Sequence, residues 1–270
     1  MRTTLIVTTY NRKDALELAL LSATAQSEPP GEIIVADDGS ADDTRALVEA
    51  IAARAPVPVR HCWHQDDGFR LATIRNRAIA MARGEYLVMV DGDLVLHPDF
   101  VKDHERAARR GQFVQGGRVL LGEAATRDVL REGRIDIGPF EPGTRNRKNA
   151  FRIGWLSKLI SHRSRSLHRV RGANLAFWRE DVVRVNGFNE DFVGWGREDS
   201  EFALRMQNSG LRRLHLKFGA VAYHLWHPEA SRAMLPRNHQ ILEEALARRS
   251  VRCENGVDRH LKSSEAPRGE

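Results

Sequence analysis

Short apolar runs alternate with segments of helical periodicity through the first ninety residues of the chain. The runs are rich in the β-branched residues that strands favour, and they span residues 4–8, 32–36, 57–62 and 86–90. Apolar residues recur at helical spacing between them, over residues 14–25, 44–53 and 70–83. Strands that alternate with helices are joined by crossover connections. The pattern therefore predicts an α/β fold with a mainly parallel central sheet and flanking helices.

Polar clusters follow three of the four predicted strands. They are Thr8-Thr9-Tyr10-Asn11 after the first strand, Asp37-Asp38-Gly39-Ser40 after the second and Asp91-Gly92-Asp93 after the fourth. Open parallel sheets bind ligands at the carboxyl ends of their strands. We therefore expect the three clusters to lie at one edge of the sheet and to form a single binding site.

Each acidic cluster allows two interpretations. Asp91 and Asp93 could share one hard cation, Mn²⁺ or Mg²⁺, because carboxylates two residues apart at a strand end can approach the same ion. They could also cap a turn with their side chains. Asp37 and Asp38 could accept hydrogen bonds from a nucleotide base or ribose, or could cap a strand-to-helix turn.

Two later segments also carry side chains suited to chemistry. The first is the block Gly194-Trp195-Gly196-Arg197-Glu198-Asp199-Ser200-Glu201. It combines an aromatic face, on which a sugar can stack, with carboxylates that could act as a general base. The same carboxylates could instead stabilise the start of a helix, where the helix dipole favours negative charge. His224 and His227 follow a strand-like run, and neutral imidazole is a good ligand for a metal already held by a carboxylate.

These motifs, at their observed spacings, resemble those of the GT-A fold glycosyltransferases of family 2. The resemblance covers about residues 3–228 and rests on residues 7–12, 35–40 and 91–93. The block at 194–201 is similar to the C-terminal motif shared by β-1,4-galactosyltransferases, chondroitin-polymerase-type enzymes and polypeptide N-acetylgalactosaminyltransferases. The resemblance implies a single-domain GT-A fold, which is a Rossmann-like nucleotide-binding architecture.

The resemblance also implies an enzyme that moves a sugar from a UDP-sugar to a hydroxyl of a glycan or lipid-linked acceptor. Transfer would be metal-dependent and inverting, and would serve the synthesis of bacterial envelope polysaccharide or lipopolysaccharide. One residue departs from the family pattern, since Arg197 stands where galactosyltransferase-like enzymes often have Gly. That departure leaves the identity of the donor sugar and the geometry of the local loop open.

Roles follow from the resemblance for the residues that match its motifs. Those expected to bind the nucleotide or the donor sugar are Thr9, Tyr10, Asn11, Asp38, Arg75, Asn76, Asp91 and Trp195. Mn²⁺ or Mg²⁺ would be held by Asp93 and His224, with His227 as the alternative to His224. Asp199 would be the catalytic base, and its neighbour Glu198 would contact sugars.

Positive charge is concentrated in one segment of this 270-residue chain, whose net charge is +6. Residues 145–171 contain nine Lys or Arg and no Asp or Glu. On a helix, Trp155, Leu156, Leu159 and Ile160 would share one face, and a basic amphipathic helix is typical of a membrane-surface element. The segment is therefore either a contact with an anionic membrane or a solvated loop beside the acceptor.

Other sequence features bear on compartment and organisation. No run approaches the roughly 20 apolar residues of a spanning helix, no signal peptide is recognisable, and Cys62 and Cys253 offer no disulfide framework. We expect a cytoplasmic protein, with any membrane contact on the inner face of the cytoplasmic membrane. We expect a nucleotide-sugar-binding half at 1–115, an acceptor-binding and catalytic half at 116–240, and a C-terminal helix with a loose tail at 241–270.

Three rival functions fit the sequence less well. A nucleotidyltransferase that makes sugar nucleotides would need a Gly-rich, basic phosphate loop near the N-terminus, and none is present. A basic protein that binds nucleic acid would turn three polar strand-end clusters, two of them acidic, towards phosphates, which electrostatics disfavours. Because electrostatics disfavours phosphates at the acidic clusters, we expect no nucleic-acid partner. A glycosidase would also use paired carboxylates.

Overall fold

The main sheet of the computed structural model, which describes residues 1–167 and 170–264, has eight strands. One side holds, in spatial order, β3 (Val59–Trp63), β2 (Glu32–Asp37), β1 (Thr3–Thr9) and β4 (Tyr86–Asp91), all parallel. The other side continues from β4 with β10 (Asn174–Trp178), β6 (Gln112–Gln115), β11 (Arg212–His215) and β9 (His162–Ser164). Only β10 and β9 run against the common direction of these described strands, so the expected mainly parallel sheet is confirmed.

Both faces of the central strands are buried. Leu5 and Val7 of β1 face one side and contribute to one hydrophobic cluster, while Ile6 points to the other side and joins a second cluster. This alternation is the side-chain period of a strand, and a sheet covered on both faces reads as a continuous apolar run. Because β10 pairs with β4, the two halves expected at 1–115 and 116–240 share one sheet and its cores.

A second, four-stranded sheet lies in the order β5-β12-β7-β8. Its strands are β5 (Leu94–Leu96), β12 (Ala222–His224), β7 (Val119–Leu121) and β8 (Thr144–Arg145). β5 follows β4 after a two-residue turn, and β12 pairs with it in the antiparallel sense. This pairing brings residues near 224 to the end of β4, more than 120 residues away in sequence.

Ten helices are described over the same ranges. They are α1 (Lys13–Thr24), α2 (Asp42–Ala52), α3 (Leu71–Met81), α4 (Phe100–Ala107), α5 (Glu123–Glu132), α6 (Gly154–Ile160), α7 (Arg179–Arg184), α8 (Glu198–Asn208), α9 (Leu235–Ala247) and α10 (Asp258–Ser264). Within residues 1–167 and 170–264, every helix is too short or too polar to cross a membrane.

The basic segment at 145–171 is helical over only part of its length. A short 3₁₀ helix spans Arg147–Ala150, α6 covers seven residues, and β9 follows. Residues 168 and 169 lie outside the described residues. Trp155 and Leu159 of α6 are exposed, so the apolar face expected from the sequence lies at the surface.

The C-terminal tail corrects one expectation. The sequence predicts a loose tail after the helix of region 241–270, yet Cys253 is buried and Val257 is fully buried in the cluster that also contains Phe188. Gly256 lies so close to Asn186 that a Cβ would overlap the Asn186 carbonyl oxygen. A mainly polar sequence can therefore pack, because its few apolar residues, Val257 and Leu261, meet a hydrophobic cluster formed by distant residues. Residues 265–270 lie outside the described residues.

Candidate active site

The turn between β4 and β5 brings Asp93 beside two imidazoles. His224 lies opposite Leu94 in the β12–β5 pairing, and the Leu225 amide donates to the Asp93 carbonyl oxygen at 2.9 Å. Nε2 of His224 lies 3.6 Å from Oδ2 of Asp93, and Nε2 of His227 lies 3.3 Å from the same atom. One potential ligand atom from each of the three residues lies within 4.8 Å of the other two.

This triad fits a divalent metal ion. Burial lowers the pKa of His224 to about 3, with a smaller contribution from Arg118, so the imidazole is neutral and keeps a lone pair for a metal. Oδ1 of Asp93 is buried without a hydrogen-bond partner among the described residues, and a cation would satisfy it. A carboxylate with two imidazoles suits a first-row ion such as Mn²⁺ better than Mg²⁺, which prefers oxygen ligands. The sequence analysis gave His224 and His227 as alternative metal ligands. In the structure both lie close enough to Asp93 to hold the same ion.

A buried guanidinium lies at the centre of the neighbouring carboxylates. Arg75, on α3, is 1% exposed, and its Nη1 donates to Oδ1 of Asp199 at 2.9 Å. The Asp91 and Glu198 carboxylates lie 3.6 and 3.9 Å from the same guanidinium. Burial raises the pKa of Asp91, and the charge of Arg75 opposes that shift. Arg75 therefore holds this acidic cluster together, in addition to any contact with a nucleotide.

Glu198 and Asp199 begin α8 but have different surroundings. Oδ2 of Asp199 accepts a hydrogen bond from the Gly172 amide at 2.5 Å, and its side chain is 20% exposed. The Glu198 side chain is 10% exposed, and its Oε2 accepts from the Gly196 amide at 3.1 Å. Burial, followed by the negative charge of Asp199, raises the pKa of Glu198 to about 8. A general base must be ionised before it acts, so this difference favours Asp199 over Glu198.

The loop before α8 depends on left-handed backbone. Gly194 and Gly196 have φ of 73° and 106°, and Arg197 has φ of 76°. Glycine adopts this region freely, whereas other residues do so at a cost. Arg197, which stands where galactosyltransferase-like enzymes often have Gly, therefore adopts a backbone conformation that favours glycine. Trp195, held between the two glycines, is 41% exposed, and the Arg232 guanidinium lies 5.4 Å from its ring centroid.

The first two polar clusters meet at the carboxyl ends of β1 and β2. The Asn11 amide donates to Oγ of Ser40 at 2.8 Å, and the hydroxyl of the exposed Tyr10 donates to Asp66 at 3.0 Å. Thr9 is buried at the end of β1. Asp38 is buried too: one of its oxygens lies 2.7 Å from Nε2 of His64 and the other accepts from the Arg70 amide at 2.9 Å. The residues of these two clusters therefore lie on neighbouring strand ends, as expected from the sequence. They are Thr9, Tyr10, Asn11 and Asp38.

Asn76 has different contacts from those expected of a residue that lines a nucleotide pocket. It is fully buried, and its amide nitrogen donates to the Phe188 carbonyl oxygen at 2.7 Å and to Glu190 at 2.8 Å. Its side-chain oxygen accepts from the Phe188 amide at 2.8 Å. All of these bonds fix the loop after α7, so Asn76 acts on the site through that loop in this structure.

Four further residues at the site had no role assigned to them from the sequence. Thr8 donates to Oδ1 of Asp91 at 3.2 Å, and Nη1 of Arg12 lies 3.8 Å from Oδ2 of Asp93. Gly172 donates to Asp199, and Arg118 contributes charge at Asp91, Asp93 and His224. Thr8 and Arg12 lie within the motif at 7–12 that the sequence did reveal. Gly172 and Arg118 had no local signal, because their positions depend on how β6 and β10 pair.

Comparison with known proteins gives two matching family models. The model described as glycosyl transferase family 2 matches residues 4–169, and the model described as the N-terminal domain of galactosyltransferase matches residues 160–228. The first match alone covers more than half of the chain.

Similarity to curated proteins is spread along most of the chain. The chain is 28% identical over 227 residues to validoxylamine A glucosyltransferase of Streptomyces hygroscopicus subsp. limoneus. This match covers 76% of this chain and 48% of that protein. It is 24% identical over 243 residues to chondroitin synthase of Escherichia coli, covering 82% of this chain and 34% of that protein. The chain spans about half, or less, of the length of these relatives.

Solved structures share the fold. S. aureus TarS 1-349 matches with a TM-score of 0.62 and 18% identity, covering 96% of this chain and 68% of that chain, and has also been solved with UDP-GlcNAc. Mannosyltransferase PcManGT from Pyrobaculum calidifontis, in complex with GDP-Man and Mn²⁺, matches with a TM-score of 0.61 and 22% identity, covering 97% of this chain and 68% of that chain. These likenesses confirm the expected GT-A fold.

Proposed function

The chain belongs to glycosyl transferase family 2, and on that premise we propose that it transfers a sugar from a UDP-sugar to a hydroxyl of a glycan or lipid-linked acceptor. The observation that carries the proposal is the Asp93–His224–His227 triad beside the Arg75–Asp199 ion pair. A site for a divalent ion and a candidate general base are adjacent at the end of β4. A metal-dependent, inverting transfer from a nucleotide sugar would use both functions.

Asp93, His224 and His227 would hold the divalent ion, with Mn²⁺ as our first choice. When bound, such an ion supplies positive charge that compensates the charge of a departing diphosphate. Thr9, Tyr10 and other residues at the ends of β1 and β2 would bind the nucleoside, in keeping with the UDP-GlcNAc and GDP-Man complexes of proteins that share this fold. UDP is our choice of nucleotide because the family motifs at 7–12 and 35–40 imply it.

Asp199 would accept the proton of the acceptor hydroxyl as that oxygen attacks the anomeric carbon. The attack would come from the face opposite the leaving diphosphate, so one displacement inverts the configuration. Arg75 would hold one oxygen of Asp199 in place through the 2.9 Å hydrogen bond, and the exposed face of Trp195 would offer a sugar a stacking surface. Glu198, protonated at neutral pH, would donate a hydrogen bond rather than accept a proton.

Transfer is tested by UDP release from a panel of UDP-sugars, with Mn²⁺ and with mixed oligosaccharide acceptors. We expect release that needs both the metal and an acceptor. A nucleotidyltransferase would release pyrophosphate, a glycosidase would act without a nucleotide sugar, and a nucleic-acid-binding protein would release nothing. Release of UDP without Mn²⁺ would contradict the metal-dependent mechanism.

We also propose that α6 contacts an anionic membrane surface, where a lipid-linked acceptor would be found. Trp155 is 71% exposed and Leu159 is 73% exposed, although both are large apolar side chains. They lie within the segment that carries nine cations and no acid. Each cation near an anionic leaflet contributes about 1 kcal/mol to binding. Not every cation is available, since Arg152 pairs with Asp103 at 2.8 Å.

Sedimentation with phosphatidylserine vesicles at low and high salt tests this contact. We expect binding at low salt that is weakened by salt and by Trp155→Ser with Leu159→Ser. Leu246→Ser, on α9, is the control, because Leu246 is also an exposed apolar residue but lies outside the basic segment. Binding that survives the double substitution would contradict the contact.

A further inference from the structure

The loop between α7 and α8, residues 185–197, carries a phenylalanine that links the two helices of the Arg75–Asp199 ion pair. Phe188 is fully buried, and the Arg75 guanidinium lies over its ring, 5.0 Å from the ring centroid. The same ring stacks on Phe202 of α8, with ring centroids 4.3 Å apart. Phe188 therefore contacts both α3, which carries Arg75, and α8, which carries Asp199.

The Phe188 ring matters to Arg75 because the guanidinium is incompletely hydrogen-bonded. Its Nη1 donates to Asp199, but its Nε is buried without a hydrogen-bond partner among the described residues. The electron-rich face of an aromatic ring attracts a cation, and the attraction is stronger where water is excluded. The direction in which Arg75 points therefore depends on the ring beneath it as well as on Asp199.

The backbone of Phe188 is fixed by Asn76, the neighbour of Arg75 on α3. The Asn76 side chain accepts from the Phe188 amide at 2.8 Å and donates to the Phe188 carbonyl oxygen at 2.7 Å. Gly187 allows this close approach, since a Cβ there would overlap Oδ1 of Asn76. The ring cannot move away from Arg75 without breaking buried hydrogen bonds, which is costly.

The tail segment, residues 253–261, holds the same loop two residues before Phe188. The Asn186 side chain donates to the Cys253 carbonyl oxygen at 2.9 Å and accepts from the Asp258 amide at 2.9 Å. Asn186 is buried, so these bonds are made away from water. The tail segment therefore helps to keep the loop, and with it the Phe188 ring, in place.

We propose that Phe188 is a positioning residue. Its ring sets the direction of the Arg75 guanidinium, which in turn holds Asp199 where it can accept the proton of the acceptor hydroxyl. The inference rests on the proposed function, because it concerns the base of the same reaction. A displacement of about 1 Å can lower a rate by about 10²-fold, so a buried ring that acts through Arg75 can control turnover.

Phe188→Leu compared with Phe177→Leu separates positioning from packing. Both phenylalanines are fully buried, and both contact Phe202, with the Phe177 ring centroid 5.4 Å from that of Phe202. Of the two rings, the one that the Arg75 guanidinium covers is Phe188. Both substitutions remove an aromatic ring from the same hydrophobic cluster, so we expect them to lower the melting temperature by similar amounts.

Hydrogen exchange at the Gly172 amide reports whether Asp199 is held, because this amide donates to Oδ2 of Asp199. Exchange is followed by NMR on the full chain, without donor or metal, and is expressed relative to a core amide of β1 to correct for global unfolding. We expect exchange at Gly172 to be about tenfold or more faster in Phe188→Leu and unchanged in Phe177→Leu. Equal exchange at Gly172 in the two variants would overturn the proposal.

Steady-state UDP release gives the second measurement. We expect Phe188→Leu to lower kcat by about tenfold or more with little change in the KM for UDP-sugar, and Phe177→Leu to keep near-normal turnover. In an Asp199→Asn background, Phe188→Leu should have little further effect, because substitutions that act through one residue are not additive. An equal loss in both backgrounds would show that Phe188 acts independently of Asp199 and would overturn the proposal.

Asn186→Gly tests the support from the tail segment and decides the question if Phe188→Leu does not fold. Asn186 has φ of 66°, so glycine keeps the backbone conformation and removes only the side-chain bonds to the tail segment. Asn146→Gly, at φ of 57° and distant in sequence from this loop, is the matched control. We expect faster exchange at Gly172 in Asn186→Gly alone, and unchanged exchange there would contradict the proposal.

The two proposals can fail separately. Absence of UDP release from the unaltered chain would refute the proposed function, whereas exchange at Gly172 would still decide whether Phe188 holds Asp199. Metal-dependent UDP release together with equal exchange and equal turnover in the two leucine variants would refute the positioning role alone.

Discussion

The acidic cluster around Arg75 lies beside a basic cavity, which is lined by Arg118, Lys148, Arg171, Arg213 and Lys217, and the two regions differ in the charges of the residues that form them. Arg75 lies between the carboxylates of Asp91 and Asp199 and beside the protonated Glu198, so part of the negative charge of this cluster is compensated within the protein. The basic cavity has no Asp or Glu among the described residues that line it, although one of its cations, Arg118, also acts on Asp91 and Asp93. The ion pair fixes the carboxylates of the first region in place, whereas the walls of the second carry a concentration of positive charge.

The first way to break this comparison is to remove the candidate base. Asp199→Asn keeps the size of the side chain but loses the proton acceptor, so we expect turnover to fall by about 10²–10⁴-fold. Binding of UDP-sugar should persist. Steady-state UDP release and a separate donor-binding titration measure the two effects. Glu198→Gln is the paired variant, and near-normal turnover of Asp199→Asn with loss in Glu198→Gln would reverse the two roles.

Removing the cation tests whether the acidic cluster is compensated. Arg75→Met leaves the carboxylates of Asp91 and Asp199 without their shared partner, and we expect unfolding to become easier by about 3–5 kcal/mol, the usual cost of breaking a buried ion pair. Urea unfolding, followed by circular dichroism, measures the change. Arg75→Lys keeps the charge with fewer hydrogen bonds and should lose less. A loss below about 1 kcal/mol in Arg75→Met would show that the carboxylates do not depend on it.

The pH dependence of stability sharpens the view of Glu198. Because the pKa of Glu198 is raised to about 8 in the folded protein, its contribution to stability is present below its unfolded pKa near 4.5. That contribution is lost as the pH rises through 8. Glu198→Gln cannot ionise, so its melting temperature should exceed that of the unaltered protein by an amount that grows from pH 5 to pH 8. Thermal unfolding in metal-free buffer measures the gap, and a constant gap would contradict the protonated state of Glu198.

The smallest effect is expected in the basic cavity. Lys148 is exposed and lines a wall without carboxylates among its described residues, so Lys148→Gln should change the free energy of unfolding by no more than about 0.5 kcal/mol. Chemical denaturation measures it alongside Arg75→Met. A large loss on Lys148→Gln would mean that this cation is paired after all, and the contrast between the two regions would fail.

Much of the fold and of the acidic cluster could be predicted from the sequence because their signals are local. β-branched runs, helical periods and polar residues at strand ends occur within a few positions of one another, and Asp91, Asp93 and Asp199 belong to such motifs. The resemblance implied that one imidazole, His224 or His227, would lie beside Asp93. That both do so could not be predicted, since it depends on the pairing of β12 with β5. The packed tail at Val257 and the loop contacts of Asn76 depend on distant partners in the same way.

The basic cavity lay beyond sequence reasoning for a related physical reason. Its cations come from separate parts of the chain between Arg118 and Lys217, and each is one Arg or Lys among 42. The sequence revealed a concentration of charge at 145–171, but it gave no account of which cations face solvent and which face a cavity. Arg152, for example, pairs with Asp103, whereas Lys148 lines the cavity.

The measurement that tests the central claim most directly is calorimetric titration of UDP with and without Mn²⁺. The comparison is between the unaltered chain, Asp93→Ala and the control Asp67→Ala, which removes an exposed carboxylate outside the metal triad. We predict that UDP binds the unaltered chain and the control only with Mn²⁺, and that Asp93→Ala loses this metal-dependent binding while its circular dichroism spectrum is unchanged. Unaltered Mn²⁺-dependent affinity in Asp93→Ala would contradict the assignment of the metal site and, with it, the proposed mechanism.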